Sequence, residues 1–173
     1  AAERAALLDT PRFIERASDL YGYNNFICDS GGSICEVVDP WDAADPILTT
    51  LSDNLLMIWI AGSEDHTAEL VRRFDLAPKP MCYQPEFLLT CWSEYQRETG
   101  VQPDKVNPDD FIRWTYAHAM AHRQPRYAQM AKWGITLQAN DVQNLKTPQD
   151  FEALVGDTLE HHAAAPRSNG GED

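Results

Sequence analysis

The segment F-I-C-D-S-G-G-S-I-C-E-V-V, residues 26–38, sets an aspartate, a serine and two adjacent glycines between apolar residues. Two chemistries could use such a set. Ser30 could serve as a nucleophile, which needs a histidine to take its proton and an acid to orient that histidine. Alternatively, the same letters fit a short apolar strand that ends in an acid and opens into a glycine turn. That arrangement suits phosphate transfer, where there is little covalent work for the protein and much positioning.

The nucleophile reading fails on the order of the residues. No histidine precedes Ser30, the first being His66. Asp29-Ser30-Gly31-Gly32 matches the nucleophile loop of chymotrypsin-type serine proteases letter for letter. In those enzymes, however, the histidine and acid come before the serine. Cys28 stands where a glycine is expected and Ser33 where a proline is usual. That family is also all-β, whereas this chain reads as mostly helical. Four letters match by chance.

Other candidate groups give weaker signals. His118 and His122 lie one helical turn apart, a spacing that can hold a metal, but no glutamate follows His118 and no third ligand is indicated. Packing is the expected role. Four cysteines at 28, 35, 82 and 91 show no C-x-x-C spacing and sit among apolar neighbours, so they read as reduced, packed thiols. A Cys28–Cys35 disulfide is the lesser alternative. Trp92, Tyr95, Trp114, Tyr116 and Trp133 follow helical spacing and read as core.

These groups must be positioned by a chain of 173 residues with a formal net charge of −13. One domain over residues 1–162, incomplete at its N-terminus, with a disordered tail at 163–173, is the most economical organisation. Between Arg16 and Arg72 there is no lysine or arginine, while ten acids fall in that interval. Such a surface repels a phosphate backbone, which excludes nucleic acid as the expected partner. The longest apolar run, residues 55–61, is far short of the ~20 residues a membrane helix needs. With no signal-like N-terminus, a cytoplasmic location and no membrane partner are expected. The chain starts without a methionine, within an expected helix, as a processed or truncated product would.

The element pattern follows from apolar spacing and breakers. Residues 1–21 read as helix broken at Asp9-Thr10-Pro11, with Thr10 as cap. Residues 26–28 read as a short buried strand, and 33–38 as helix or strand, followed by an acidic loop at 39–46. Residues 55–60 form the clearest strand, apolar on both faces. Ser63 caps the next helix, which closes with Arg72 and Arg73. Further helices are expected over 85–100, from 107 to about 122, and from Pro125 to Gly134. A strand at 135–137 and a helix capped at Thr147-Pro148-Gln149-Asp150 complete the series. The alternation predicts an α/β fold: a parallel sheet flanked by helices, with a helical insertion around 78–122.

Taken in order, three segments resemble P-loop kinases of the shikimate- and gluconate-kinase type. The apolar run ending in Asp29-Ser30-Gly31-Gly32 is similar to their third strand. Residues 55–60 followed by G-S-E-D-H-T-A-E-L-V-R-R resemble the next strand and helix. H-R-Q-P-R-Y-A-Q-M-A, residues 122–131, is similar to their R-x-P-x-Y-x-x-x-A segment, and Gly134-Ile135-Thr136-Leu137 follows as their last strand does. The resemblance covers roughly residues 10–160. It implies a P-loop NTPase-like fold and Mg2+-dependent transfer of a phosphoryl group from ATP to a small acceptor or to water.

Carried over residue by residue, the resemblance makes Asp29 the Mg2+ or water-positioning acid and Gly31 and Gly32 the acceptor side. Arg72, Arg73, Arg123 and Arg126 form the pool for an oxyanion clamp, with Arg123 first because it aligns with the arginine of R-x-P-x-Y. The turn at 138–141, with Asn140 and Asp141, would lie near the adenine. The departure is that no G-x-x-x-x-G-K-[ST] occurs in the chain. The phosphate-binding loop would have to lie upstream, and the chain alone is expected to be a poor ATPase. The alternative reading is a non-catalytic, kinase-like scaffold that binds a protein partner through its acidic face or through residues 78–122.

Overall fold

A computed structural model describes residues 2–79, 81 and 83–164. Cys82 and residues 165–173, most of the expected tail, lie outside the described residues. Two helices open the chain, α1 (Ala2–Leu8) and α2 (Thr10–Tyr21). They meet at the expected break, although Asp9 rather than Thr10 takes the cap position. Gly22, in the left-handed region at φ 64°, ends α2 by donating its N–H to Ser18 O at 2.8 Å.

The core forms around α3 (Pro46–Asn54), which begins where the acidic loop ends. Asp45 caps it. One carboxylate oxygen accepts from the Ile47 and Leu48 amides at 2.9 and 3.0 Å, and the other accepts from Asp39 N at 2.9 Å. This carboxylate is buried and satisfied by three backbone donors, which both starts the helix and closes the loop. Ile47, Leu48 and Leu51 then pack with Leu7, Ile34, Cys35, Val38 and Met130.

Two short strands, β1 (Ile58–Ala61) and β2 (Ile135–Gln138), pair in parallel with Ile58 opposite Ile135. Between them run α4 (Glu64–Leu76), α5 (Pro85–Thr99) and α6 (Pro108–Met130). α5 and α6 pack through edge-on aromatic contacts of Trp92 and Tyr95 with Phe111 and of Tyr95 with Trp114. His118 stacks on Trp114 and His122 packs at a tilt against Phe87, the packing role expected for both. The short α7 (Ala139–Val142) leaves β2 directly, and α8 (Pro148–Ala164) packs back against it. Among the described residues, no helix is long and apolar enough to cross a membrane.

The expected fold class is therefore corrected. The molecule is mostly helical, and among the described residues its only sheet has two strands, so a P-loop NTPase-like parallel sheet flanked by helices is not what forms. Residues 26–28 are not a strand. They run without regular structure, and Ile27 is 90% exposed. An apolar, β-prone triplet becomes a strand only when a neighbour supplies the ladder hydrogen bonds. Nor is 78–122 an insertion in a sheet, since α5 and α6 make up much of the body. Pro125 does not start a new helix but lies inside α6. It removes one donor there without interrupting the helix.

Candidate functional site

The loop after the unpaired stretch is built on Asp29. Its carboxylate accepts the Gly31 N–H at 3.0 Å, and Gly31 takes φ 57°, a conformation that disfavours any side chain. Gly32 then starts a 3-10 turn, Gly32–Glu36, whose Ile34 and Cys35 enter the core. A side chain on Gly32 would meet Tyr127 Oη at 2.9 Å and Arg123 Nη1 at 3.0 Å. The turn thus lies directly on the side chains of α6, and a side chain at this point would displace the ends of Tyr127 and Arg123.

Arg123 is fixed from behind. Its side chain is buried, Nη2 and Nε donate to Glu36 Oε1 at 2.7 and 3.1 Å, and the guanidinium lies over the Tyr83 ring. Glu36 uses its other oxygen to accept Gln84 N at 2.9 Å, which ties the start of α5 to the same pair. Burial is the largest single influence on Arg123 and would lower its pKa, but the bond to Glu36 and the surrounding negative charge, Glu36 first, together outweigh it and the pKa is raised. Around the pair, burial pushes the Tyr127 phenol up to about 12 and raises the Cys35 thiol, which is hydrogen-bonded to it.

In front of the loop is a cavity of about 560 Å3. Asp29, Ser30 and Gly31 line one part, and Met57 to Ile60 line another. Arg73 comes from α4, Tyr127 from α6 and Ala139 from the turn after β2. The lining is mainly apolar with a few polar groups, the composition usual for a small-molecule site. Asp29, the glycine loop, Arg73 and the beginning of the 138–141 turn are thereby brought to one space.

Arg73 is itself already paired, and the remaining candidates lie outside the cavity lining. Arg72 donates to both oxygens of Glu69 at 2.7 and 2.8 Å, and Arg73 donates to Glu69 at 2.8 Å. These bonds hold the exposed Glu69 carboxyl down to about 2. Arg126 donates to Val38 O at 2.7 Å and lies over Trp41. Asn140 accepts from Gln143 Nε2 at 3.2 Å, and it and Asp141 are exposed on α7. Arg123 and Gly32, two of the expected site residues, are both absent from the cavity lining; Arg123 lies behind it, beside Gly32 and Tyr127, of which only Tyr127 lines the cavity.

Glu36, Glu69 and Tyr127 are site residues that sequence reasoning missed. For Glu36 the signal was an acid inside I-C-E-V-V, since a charge among apolar residues requires a partner. For Glu69 it was the spacing of three and four residues to Arg72 and Arg73. Among the described residues, no cluster of three or more His, Cys, Asp or Glu is placed to hold a metal ion. Asp29 nevertheless fits a Mg2+ that takes one carboxylate, waters and phosphate oxygens, because only its Oδ1 is engaged among the described residues.

No family model, curated protein or solved structure matches this chain.

Proposed function

We propose that this chain is the acceptor-side part of a nucleotide-dependent phosphoryl-transfer protein, acting with ATP and Mg2+, whose phosphate-gripping loop lies outside these residues. One observation carries the reading: Asp29, Gly31 and Arg73, which the sequence resemblance assigned to separate roles in such a site, line a single cavity, and Ala139, beside the expected Asn140 and Asp141, lines it too. Bound Mg2+–ATP would supply the γ-phosphoryl group and neutralise its charge. The residues of this chain would do the positioning. The free oxygen of Asp29 would hold the cation or orient the attacking hydroxyl or water. The open backbone at Gly31 would let an acceptor approach, and Arg73 would compensate oxyanion charge. Arg123 is a positioning residue in this account, since it fixes the turn through Gly32 and touches no substrate.

One observation favours a second reading, a non-catalytic scaffold that binds a protein through its acidic surface. Arg72, Arg73 and Arg123 each already bond to a carboxylate and Arg126 to a carbonyl, leaving none of the four expected clamp arginines free. Amide chemical shifts on titration with Mg2+–ATP separate the two. The catalytic reading predicts Mg2+-dependent shifts at Gly31, Gly32, Gly62 and Ala139; the scaffold reading predicts none.

A further inference from the structure

The cavity in front of the Asp29 loop is walled mainly by apolar side chains. Trp59 and Ile60 come from β1, Met57 from just before it, and Met120, Tyr127 and Met130 from α6. The Trp59 and Tyr127 rings are nearly parallel, with planes 23° apart and centroids at 6.3 Å. Aromatic walls of this kind favour a ligand that is itself a flat ring system. Three thioethers adjust to its outline, because methionine is unbranched and polarizable. At about 560 Å3 the space falls within the ~300–1,000 Å3 of sites that enclose a drug-sized molecule. A sugar-like polyol would bury hydroxyls against these walls without partners, which is costly.

Charge narrows the ligand further. Among the described residues, the charged side chains in the lining are Asp29, Glu69 and Arg73. Arg73 Nε donates to Glu69 Oε1 at 2.8 Å, so its charge is matched within the cavity. Asp29 has no such match, since its one hydrogen bond among the described residues comes from the Gly31 amide. An anionic ligand therefore meets an unmatched carboxylate and no unmatched cation, which disfavours it.

His66, also in the lining, decides between the remaining classes. Its Nδ1 accepts the Ser63 N–H at 3.1 Å in the cap of α4, and an amide can only donate. The ring therefore carries its proton on Nε2, and what it offers a ligand is an N–H donor. An ammonium has three donors and no lone pair, so it answers Asp29 and leaves His66 without an acceptor. A hydroxyl answers both, donating to Asp29 and accepting from His66.

We infer that the acceptor taken by this cavity is a flat, uncharged, mainly apolar alcohol, held at its rings by Trp59 and Tyr127 and at its hydroxyl by Asp29 and His66. That it is an acceptor rests on the phosphoryl-transfer reading; that it binds does not. In the transfer, the hydroxyl oxygen bonds to the γ-phosphorus of ATP as the bond from that phosphorus to the β,γ-bridging oxygen breaks. ADP leaves, and the hydroxyl proton passes to Asp29 and then to solvent.

Calorimetry and amide shifts of the whole chain, without nucleotide, test the ligand class. The probes share one ring system: 2-naphthalenemethanol, 2-naphthoate and 2-naphthylmethylammonium, each taken to about 2 mM near neutral pH. The alcohol should bind with a sub-millimolar Kd and shift Gly31, Gly62 and the Trp59 indole. The carboxylate and the ammonium should each bind at least about tenfold more weakly. Asp29→Asn removes the charge and keeps an oxygen for the Gly31 N–H, so it should narrow the preference for the alcohol over 2-naphthoate several-fold. A purely structural role for Asp29 would weaken all three probes alike. No shift with the alcohol overturns the inference, as does 2-naphthoate binding equally well or an unchanged preference in Asp29→Asn. Tighter binding of the ammonium would overturn it too, assigning the cavity to organic cations. If the alcohol binds and Mg2+–ATP gives no shifts, the acceptor role falls and the ligand class stands. If Mg2+–ATP shifts the loop and the alcohol does not bind, this inference falls alone.

Discussion

Arg123 Nη2 lies 2.7 Å from Glu36 Oε1, joining two residues 87 positions apart with side chains only 3% and 13% exposed. The pair connects the 3-10 turn, α6 and the start of α5, and it lies behind the glycine loop of the candidate site. Charges so far from water persist only with each other and with further bonds, which Gln84 N and the Tyr83 ring supply.

Glu36→Gln should therefore leave a buried, uncompensated guanidinium and cost about 3–5 kcal/mol of stability. Replacing both partners by apolar residues of similar volume should cost far less. Urea unfolding of the two variants decides the matter, and equal costs would mean that the pair contributes as two separate side chains.

Tyr83 and Tyr127 hold their phenols at about 12, chiefly through burial. Each is raised above its unfolded value of about 10. The linked stability is complete below pH 10 and is lost as pH rises through about 12. An ultraviolet titration of the phenolate band should show two of the six tyrosines ionising last, together with unfolding.

A side chain on Gly134 would stand 2.0 Å from Met57 O, the acceptor that starts the β1–β2 ladder. Gly134→Ala should push the strands apart and destabilise by about 1–3 kcal/mol or more, as overpacking does. Lost exchange protection at Trp59 would locate the damage, whereas a variant as stable as the parent would refute the pairing.

Glu69 occupies both Arg72 and Arg73. Glu69→Gln should release Arg73 towards the cavity and tighten binding of inorganic pyrophosphate several-fold, measured by calorimetry at low salt. Unchanged affinity would remove Arg73 from the proposed clamp.

Several helix starts were legible in the sequence, because caps, prolines and 3.6-residue spacing are local signals: Ser63, Pro85, Asn107-Pro108 and Thr147 all mark observed starts, whereas the break expected between 122 and 125 lies inside α6. β1 and β2 were legible as apolar runs, but the sheet was not. Whether Phe26-Ile27-Cys28 becomes a strand depends on a neighbour along the sheet, and no local pattern records one. α3 was missed because its buried face follows an acidic, proline-bounded loop that hides the helix start. In the cavity lining, Asp29 and Gly31 are residues that their types alone had singled out. The engagement of Arg123 was not legible, since its partner lies far away in the sequence.

The most direct measurement is the Mg2+–ATP titration of the parent chain and of Asp29→Asn, followed by amide shifts up to about 10 mM ligand, which still detects binding of only a few kcal/mol. The account predicts shifts at Gly31, Gly32, Gly62 and Ala139 that require Mg2+ in the parent and lose that requirement in the variant. Shifts absent from the cavity, or identical with and without Mg2+ in both chains, would contradict it.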